Sequence, residues 1–193
     1  MRTWHHARQL PANGLPTGRP NWKTNSVQAA RQLRFVAYRL NISSNDLADE
    51  DVSAFGEFHK LTLDGCKRTT NVSALGGVHN LSLYFCKRIT DVSALGVHNL
   101  TVSDCHEITD VSALGTVHTL TLDGSDGIRD VSALGGVYNL TLHFSKGITD
   151  VSALGGVQNL TLRRYDGVTD VSALKGVHNL TIVDCNGITD VSA

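Results

Sequence analysis

The sequence predicts an α/β solenoid, mostly β, in which about eight short parallel strands stack into one sheet and 3₁₀ turns return the chain between them. The first observation is periodicity. The Asp or Asn of an Asp-Val-Ser-Ala-Leu core falls at Asp51, Asn71, Asp91, Asp110, Asp130, Asp150, Asp170 and Asp190, every step being 20 residues except one of 19. The second is alternation: each unit has one short stretch such as Asn80-Leu81-Ser82-Leu83, the period-2 signature of a strand with one buried face. The third is length. Twenty residues cannot hold a strand and a full crossover helix, so the return path must be compact.

The chain opens on an arm without acidic residues. The first 45 residues carry Arg2, Arg8, Arg19, Lys23, Arg31, Arg34 and Arg39, leaving 10 basic against 18 acidic residues in the remainder. Residues 1–23 are expected to be a basic, flexible arm. Residues 24–39 are expected to form a helix, capped by Thr24 or Ser26, in which Val27, Ala30, Leu33, Val36 and Leu40 share one face and cover the N-terminal end of the core. Leu40-Asn41-Ile42-Ser43-Ser44-Asn45 matches the strand pattern as a degenerate first repeat, although Asp51 then comes one residue late. The solenoid is expected over 40–193, with strands near residues 40, 61, 81, 100, 120, 140, 160 and 180. Its last repeat stops at Val191-Ser192-Ala193, without the leucine that closes the others, so either the chain continues or this edge meets a partner, including another copy.

With Val78 as position 1, apolar residues fall at positions 1, 4, 6, 12, 15 and 18, here Val78, Leu81, Leu83, Ile89, Val92 and Leu95. Asp-Val-Ser-Ala-Leu reads as a single 3₁₀ or helical turn with the aspartate as its cap, and Gly-Gly as its terminator. A content of 41% hydrophobic but only 6% aromatic residues suits a core of small aliphatic side chains.

The string Val78-x-x-Leu81-x-Leu83-x-x-Cys86-x-x-Ile89 resembles the leucine-rich repeat segment LxxLxLxxCxxI, and Ile-Thr-Asp-Val-Ser-Ala-Leu resembles the convex-side element of internalin-like repeats. The likeness covers residues 58–193. DVSALGGVHNL arrays also resemble repeat proteins of giant viruses of amoebae. The resemblance implies a concave strand face, a position 9 that points inward and hydrogen-bonds backbone, and a non-enzymatic role in binding proteins. Cysteine-type repeats further resemble the substrate-reading half of ubiquitin-ligase adaptors, although residues 1–36 show no F-box pattern. A structural, virion-associated role is the other alternative.

The ladders of recurring residues invite chemistry that their setting does not support. Cys66, Cys86, Cys105 and Cys185 share position 9 with Asn45, Ser125, Ser145 and Tyr165, and no CxxC pair marks zinc. His59, His79, His98, His118 and His178 share position 2 with Tyr138 and Gln158, which founder duplication explains without a metal. The aspartates lack the spacing of calcium-binding β-rolls. The Ser of Asp-Val-Ser-Ala-Leu recurs with no companion base, and no phosphate-binding glycine loop is present, so neither catalysis nor a cofactor is expected. A threonine ladder, Thr62, Thr101, Thr121, Thr141, Thr161 and Thr181, resembles ice-binding solenoids. An arginine-rich arm resembles a transit peptide, but its best helix lies late.

Function is therefore expected where the repeat fails to repeat, at positions 7, 8, 10 and 11. Lys67 and Arg68 should lie over Lys87 and Arg88 beside Tyr84 and Phe85, and a second patch should join Phe144, Lys146, Arg163, Arg164 and Tyr165. Aromatic and arginine side chains on a rigid surface are the usual anchors of protein recognition. Asp104, Glu107, Asp123 and Asp126 lie between the patches, and this interruption argues against a nucleic-acid partner, which favours a continuous basic track. No apolar run or leader suggests a membrane, and a cytoplasmic setting is expected, in the host cell if the source is viral.

Overall fold

A computed structural model describes residues 2–3, 21–24, 27–28, 39–165 and 167–188. Among the described residues ten parallel strands form one sheet in chain order: β1 (Arg2–Thr3), β2 (Asn21–Thr24), β3 (Arg39–Ser43), β4 (Lys60–Asp64), β5 (Asn80–Tyr84), β6 (Asn99–Ser103), β7 (Thr119–Asp123), β8 (Asn139–His143), β9 (Asn159–Arg163) and β10 (Asn179–Val183). Strands β3 to β10 are the eight that the repeat predicts. The two short strands ahead of them add pairings not anticipated from the pattern, Arg2 with Trp22 and Trp22 with Leu40. Most of the expected arm and capping helix lies outside the described residues; within the expected helix, Val27 and Gln28 are described and are helical. Leu40, counted on that helix's apolar face, stands buried in β3.

Register is set by burying two residues per strand. Leu61, Leu81, Leu100, Leu120, Leu140, Leu160 and Leu180 pair in one row, and Leu63, Leu83, Val102, Leu122, Leu142, Leu162 and Ile182 in the next. A slip by one residue would turn every leucine to solvent, so the alternation excludes it. The 19-residue step leaves this untouched. Leu81 still faces Leu100, and the missing residue is absorbed on the opposite side, where the segment Val92–Val97 forms no 3₁₀ helix. The surplus residue of the first repeat is absorbed similarly, by a helical turn over Asp49–Val52. Asp49 accepts hydrogen bonds from the Thr70 and Asn71 N–H groups at 2.7 and 3.0 Å. Burial raises its carboxyl, but a hydrogen bond from the Thr70 hydroxyl, then these backbone bonds and the Arg88 charge, outweigh that and bring it below the usual carboxylate range.

The return path is a 3₁₀ turn, as at Ser112–Thr116, Ser132–Gly136, Ser152–Gly156 and Ser172–Gly176. Asp91, Asp110, Asp130, Asp150 and Asp170, like Asn71, each accept the N–H of the serine two residues on at 2.8 Å. This is an Asx-turn closing the entry to the helix, which accounts for the recurring Asp-x-Ser. Hydrogen bonds from that serine hold the carboxyls of Asp91, Asp110, Asp130 and Asp150 below their ordinary value.

The glycine pair has a different role from the one expected. Gly76 ends its turn at φ −58°, in the right-handed region, so no left-handed cap is needed. Neighbouring turns instead approach backbone to backbone: a Cβ on Gly135 would lie 2.5 Å from the Ala153 carbonyl oxygen, and one on Gly136 2.9 Å from that of Gly115. Close stacking of the turns, not chain reversal, requires glycine there.

A polar ladder flanks the apolar ones. At position 3, Asn159 and Asn179 each donate from Nδ2 to the preceding asparagine's Oδ1, at 2.7 and 2.6 Å, and Asn99 donates likewise to Asn80. Thr119 interrupts the row, accepting from Asn139 at 3.1 Å. Thr119→Asn supplies the missing donor toward Asn99 and is expected to raise the urea unfolding free energy by about 0.5–1 kcal/mol. An unchanged midpoint would show that the ladder adds nothing to stability.

Candidate functional site

In each strand positions 4 and 6 point into the core, so positions 5 and 7 face outward. Position 8 follows at the strand's end, and its backbone conformation is the least ordinary feature of the chain. Phe85, Asp104, Phe144, Arg164 and Asp184 all have φ between 49° and 56°, and Gly65 and Gly124 in the same position have φ 64° and 59°. From Gly65 to Arg164 a lateral bond accompanies it: each N–H at this position donates to the carbonyl of the next strand's last residue, as Phe85 does to Ser103 at 2.9 Å and Phe144 to Arg163 at 3.1 Å, which extends the sheet's ladder by one rung, while Asp184 after the last strand keeps the same φ without it. A left-handed non-glycine residue costs about 1–2 kcal/mol, so only the two glycines meet this requirement without strain.

The side chains of this row define an edge. Phe85 and Phe144 are 51% and 46% exposed, the most exposed phenylalanines among the described residues. Beside Phe85, Lys67, Arg68, Lys87 and Arg88 are exposed and Tyr84 is half-buried. Beside Phe144, Arg163 and Arg164 are exposed, and the Lys146 ammonium lies 5.5 Å from the ring centroid, within cation–π range. Arg164 also approaches Asp184 at 3.8 Å. Ten of the eleven residues expected in the two patches are thus at or near the surface. Tyr165 is the exception: it is 2% exposed and occupies the inward position 9, where burial pushes its phenol up to about 12. Its aromatic ring belongs to the interior.

Between the patches the acidic residues are only partly engaged. Asp123 pairs with His143 Nδ1 at 2.9 Å, leaving His143 Nε2 enclosed with no hydrogen-bond partner. Asp126 accepts the Lys146 N–H at 3.0 Å, and Asp104 accepts the Ser103 hydroxyl at 3.1 Å. The Asp104 carboxylate leans over bare backbone, one oxygen lying 2.8 Å from where a Cβ on Gly124 would stand. Variation at position 11 is not all free: a Cβ on Gly127 would lie 2.2 Å from the His106 carbonyl oxygen, so glycine there is steric.

The other ladders are framework. Cys86 donates to the Tyr84 and Leu63 carbonyls at 3.4 and 3.7 Å, and Cys105 and Cys185 make the equivalent bonds in their own repeats. Ser125 and Ser145 replace the thiol with a hydroxyl bonded at 3.3 Å. The hydrogen bond to Cys86, and then burial, push the Cys66 thiol up, and the bond to Cys105 holds Cys86 up at about 12, so these two sulfurs are poor nucleophiles, whereas the bond to Cys86 brings Cys105 down. His59, His79, His98 and His118 stack face to face with centroids 4.5–4.7 Å apart, and Tyr138 continues the stack at 4.9 Å. Among the described residues no group of three or more His, Cys, Asp or Glu is placed to hold a metal. Nor is any described helix long and apolar enough to cross a membrane.

No protein-family model matches the sequence, and no curated protein matches it. Solved structures do. The chain is similar to internalin C2 from Listeria monocytogenes, at TM-score 0.52 and 20% identity over 78% of this chain and 74% of that one. The functional domain of InlJ from the same organism, which includes a cysteine ladder, matches at TM-score 0.40 and 17% identity over 87% of this chain and 53% of that one. Parallel strands in register, a pair of buried aliphatic residues in each repeat and the likeness to internalin C2 lead to one conclusion: the chain has the leucine-rich repeat solenoid fold.

Proposed function

We propose that the chain is a non-enzymatic scaffold that binds a protein or peptide through its concave strand face and the adjoining edge. The observation that carries this reading is the pair of exposed phenylalanines held in the left-handed region, beside exposed lysines and arginines, on a framework that otherwise repeats almost verbatim. Backbone strain at an exposed apolar residue is costly to keep without a use. The internalin-like fold agrees with such a role, because stacked repeats present a broad rigid surface. The recurring polar residues are occupied in turns and ladders, and the Cys66 and Cys86 thiols are held in the protonated form.

The test is a variant carrying Tyr84→Ser, Phe85→Gly, Lys87→Ser and Arg88→Ser together. It is expected to lose capture of the partner recovered with the parent chain while keeping its circular dichroism spectrum. Undiminished capture would remove this patch from the interface.

A further inference from the structure

We propose that the edge between Phe85 and Phe144 holds an extended peptide with two apolar residues four apart, a basic residue midway and acidic residues outside them. This rests on the scaffold reading above and names its ligand. Phe85 and Phe144 occupy the same position three strands apart, through the register of β5 with β6, β6 with β7 and β7 with β8. At about 4.8 Å per strand the two positions are roughly 14 Å apart. An extended chain rises about 3.4 Å per residue, so residues i and i+4 span nearly that distance, and i+2 lies between them on the same face.

Charge along the edge follows the same plan. One repeat before Phe85 lie Lys67 and Arg68, one repeat after Phe144 lie Arg163 and Arg164, and Lys87, Arg88 and Lys146 share the rings' own repeats, all of them exposed. In the two intervening repeats, positions 7, 8, 10 and 11 carry Asp104, Glu107, Asp123 and Asp126 with no lysine or arginine. Gly124 leaves the position beside Phe144 without a side chain, and the Asp104 carboxylate overhangs that gap. The edge therefore reads basic, apolar, acidic, apolar, basic. Its complement reads acidic, apolar, basic, apolar, acidic, and a midway lysine or arginine would meet the Asp104 carboxylate, which lies over Gly124. Matched charge sets orientation and partner choice, while the two rings supply the anchors.

Conformation offers an unusually clean test. Gly65 and Gly124 already occupy the row at φ 64° and 59°, so Phe85→Gly and Phe144→Gly remove a ring while relieving strain. Both variants are expected to keep the parent's melting temperature or exceed it.

The probe is a fluorescein-labelled peptide, Glu-Ser-Leu-Ser-Lys-Ser-Leu-Ser-Glu, followed by fluorescence anisotropy. It is expected to bind at least about tenfold tighter than the charge-inverted peptide Lys-Ser-Leu-Ser-Glu-Ser-Leu-Ser-Lys and than a version with its leucines adjacent. Each Phe→Gly change is expected to weaken it about tenfold or more, and raising the salt should weaken it further. No binding of the matched peptide, equal binding of the inverted one, or indifference to both glycine changes would overturn the assignment. If the partner captured by the parent chain is retained by both glycine variants while the peptide fails, the clamp is lost and the scaffold reading stands. If the four-residue variant also leaves capture intact, the patch itself is lost.

Discussion

Leu142→Ala is expected to lower the unfolding free energy by about 2–5 kcal/mol, because the side chain is fully buried in β8 between Leu122 and Leu162 of the neighbouring strands. Part of the loss is the transfer of the removed atoms, and part is the cavity, which rigid neighbours on both sides cannot close. A stack of repeats also distributes the damage unusually. Each repeat is stabilised chiefly by its two interfaces, so weakening both at once uncouples the segments before and after β8. The urea transition followed by circular dichroism is expected to shift down and broaden. Leu180→Ala is the control, since Leu180 in β10 is already 39% exposed, and its cost should be below about 1 kcal/mol. Equal losses at the two sites would contradict a core continuous through β8.

Gly127→Ala is expected to cost about 2–3 kcal/mol, although the residue is on a turn and the change adds one methyl group. The methyl would lie 2.2 Å from the His106 carbonyl oxygen and 2.8 Å from that of Ile108. Both are backbone atoms of the preceding repeat, and neither can rotate away. For a chain of this size the melting temperature should fall by roughly 4–12 °C. Gly167→Ala distinguishes this contact from a general intolerance of turns: its nearest neighbour is the Thr149 methyl at 3.3 Å, which can yield by a few tenths of an ångström. A fall of less than about 2 °C is expected there. The Gly127 change should also disturb the acidic edge, because the adjoining Asp126 ties its turn to the next one through the Lys146 N–H.

The two candidate patches were legible to different degrees. Phe85, Lys87, Arg88, Phe144 and Arg164 are at the surface, as comparison between repeats within one chain suggests. Tyr165 is not, because a repeat position has one orientation whatever residue fills it, and position 9 points inward. The asparagine ladder was present as a recurrence but carries no sign of its partner, since a donor on one repeat meets an acceptor on the next only after stacking. The turn glycines were visible too, but their steric reason was not: Gly135 looks like a helix terminator in sequence and is a contact surface in space.

By itself the sequence determined the period, the buried positions, the eight repeat strands and their register, because duplication at a fixed spacing combined with a period-2 apolar pattern leaves one way to bury the leucines. Only the tertiary structure decided the left-handed backbone at Phe85 and Phe144, the overhang of Asp104 across Gly124, and which variable positions are free. Those features involve a carbonyl or a missing Cβ about 20 residues away along the chain, and such lateral partners exist only once one repeat lies against the next.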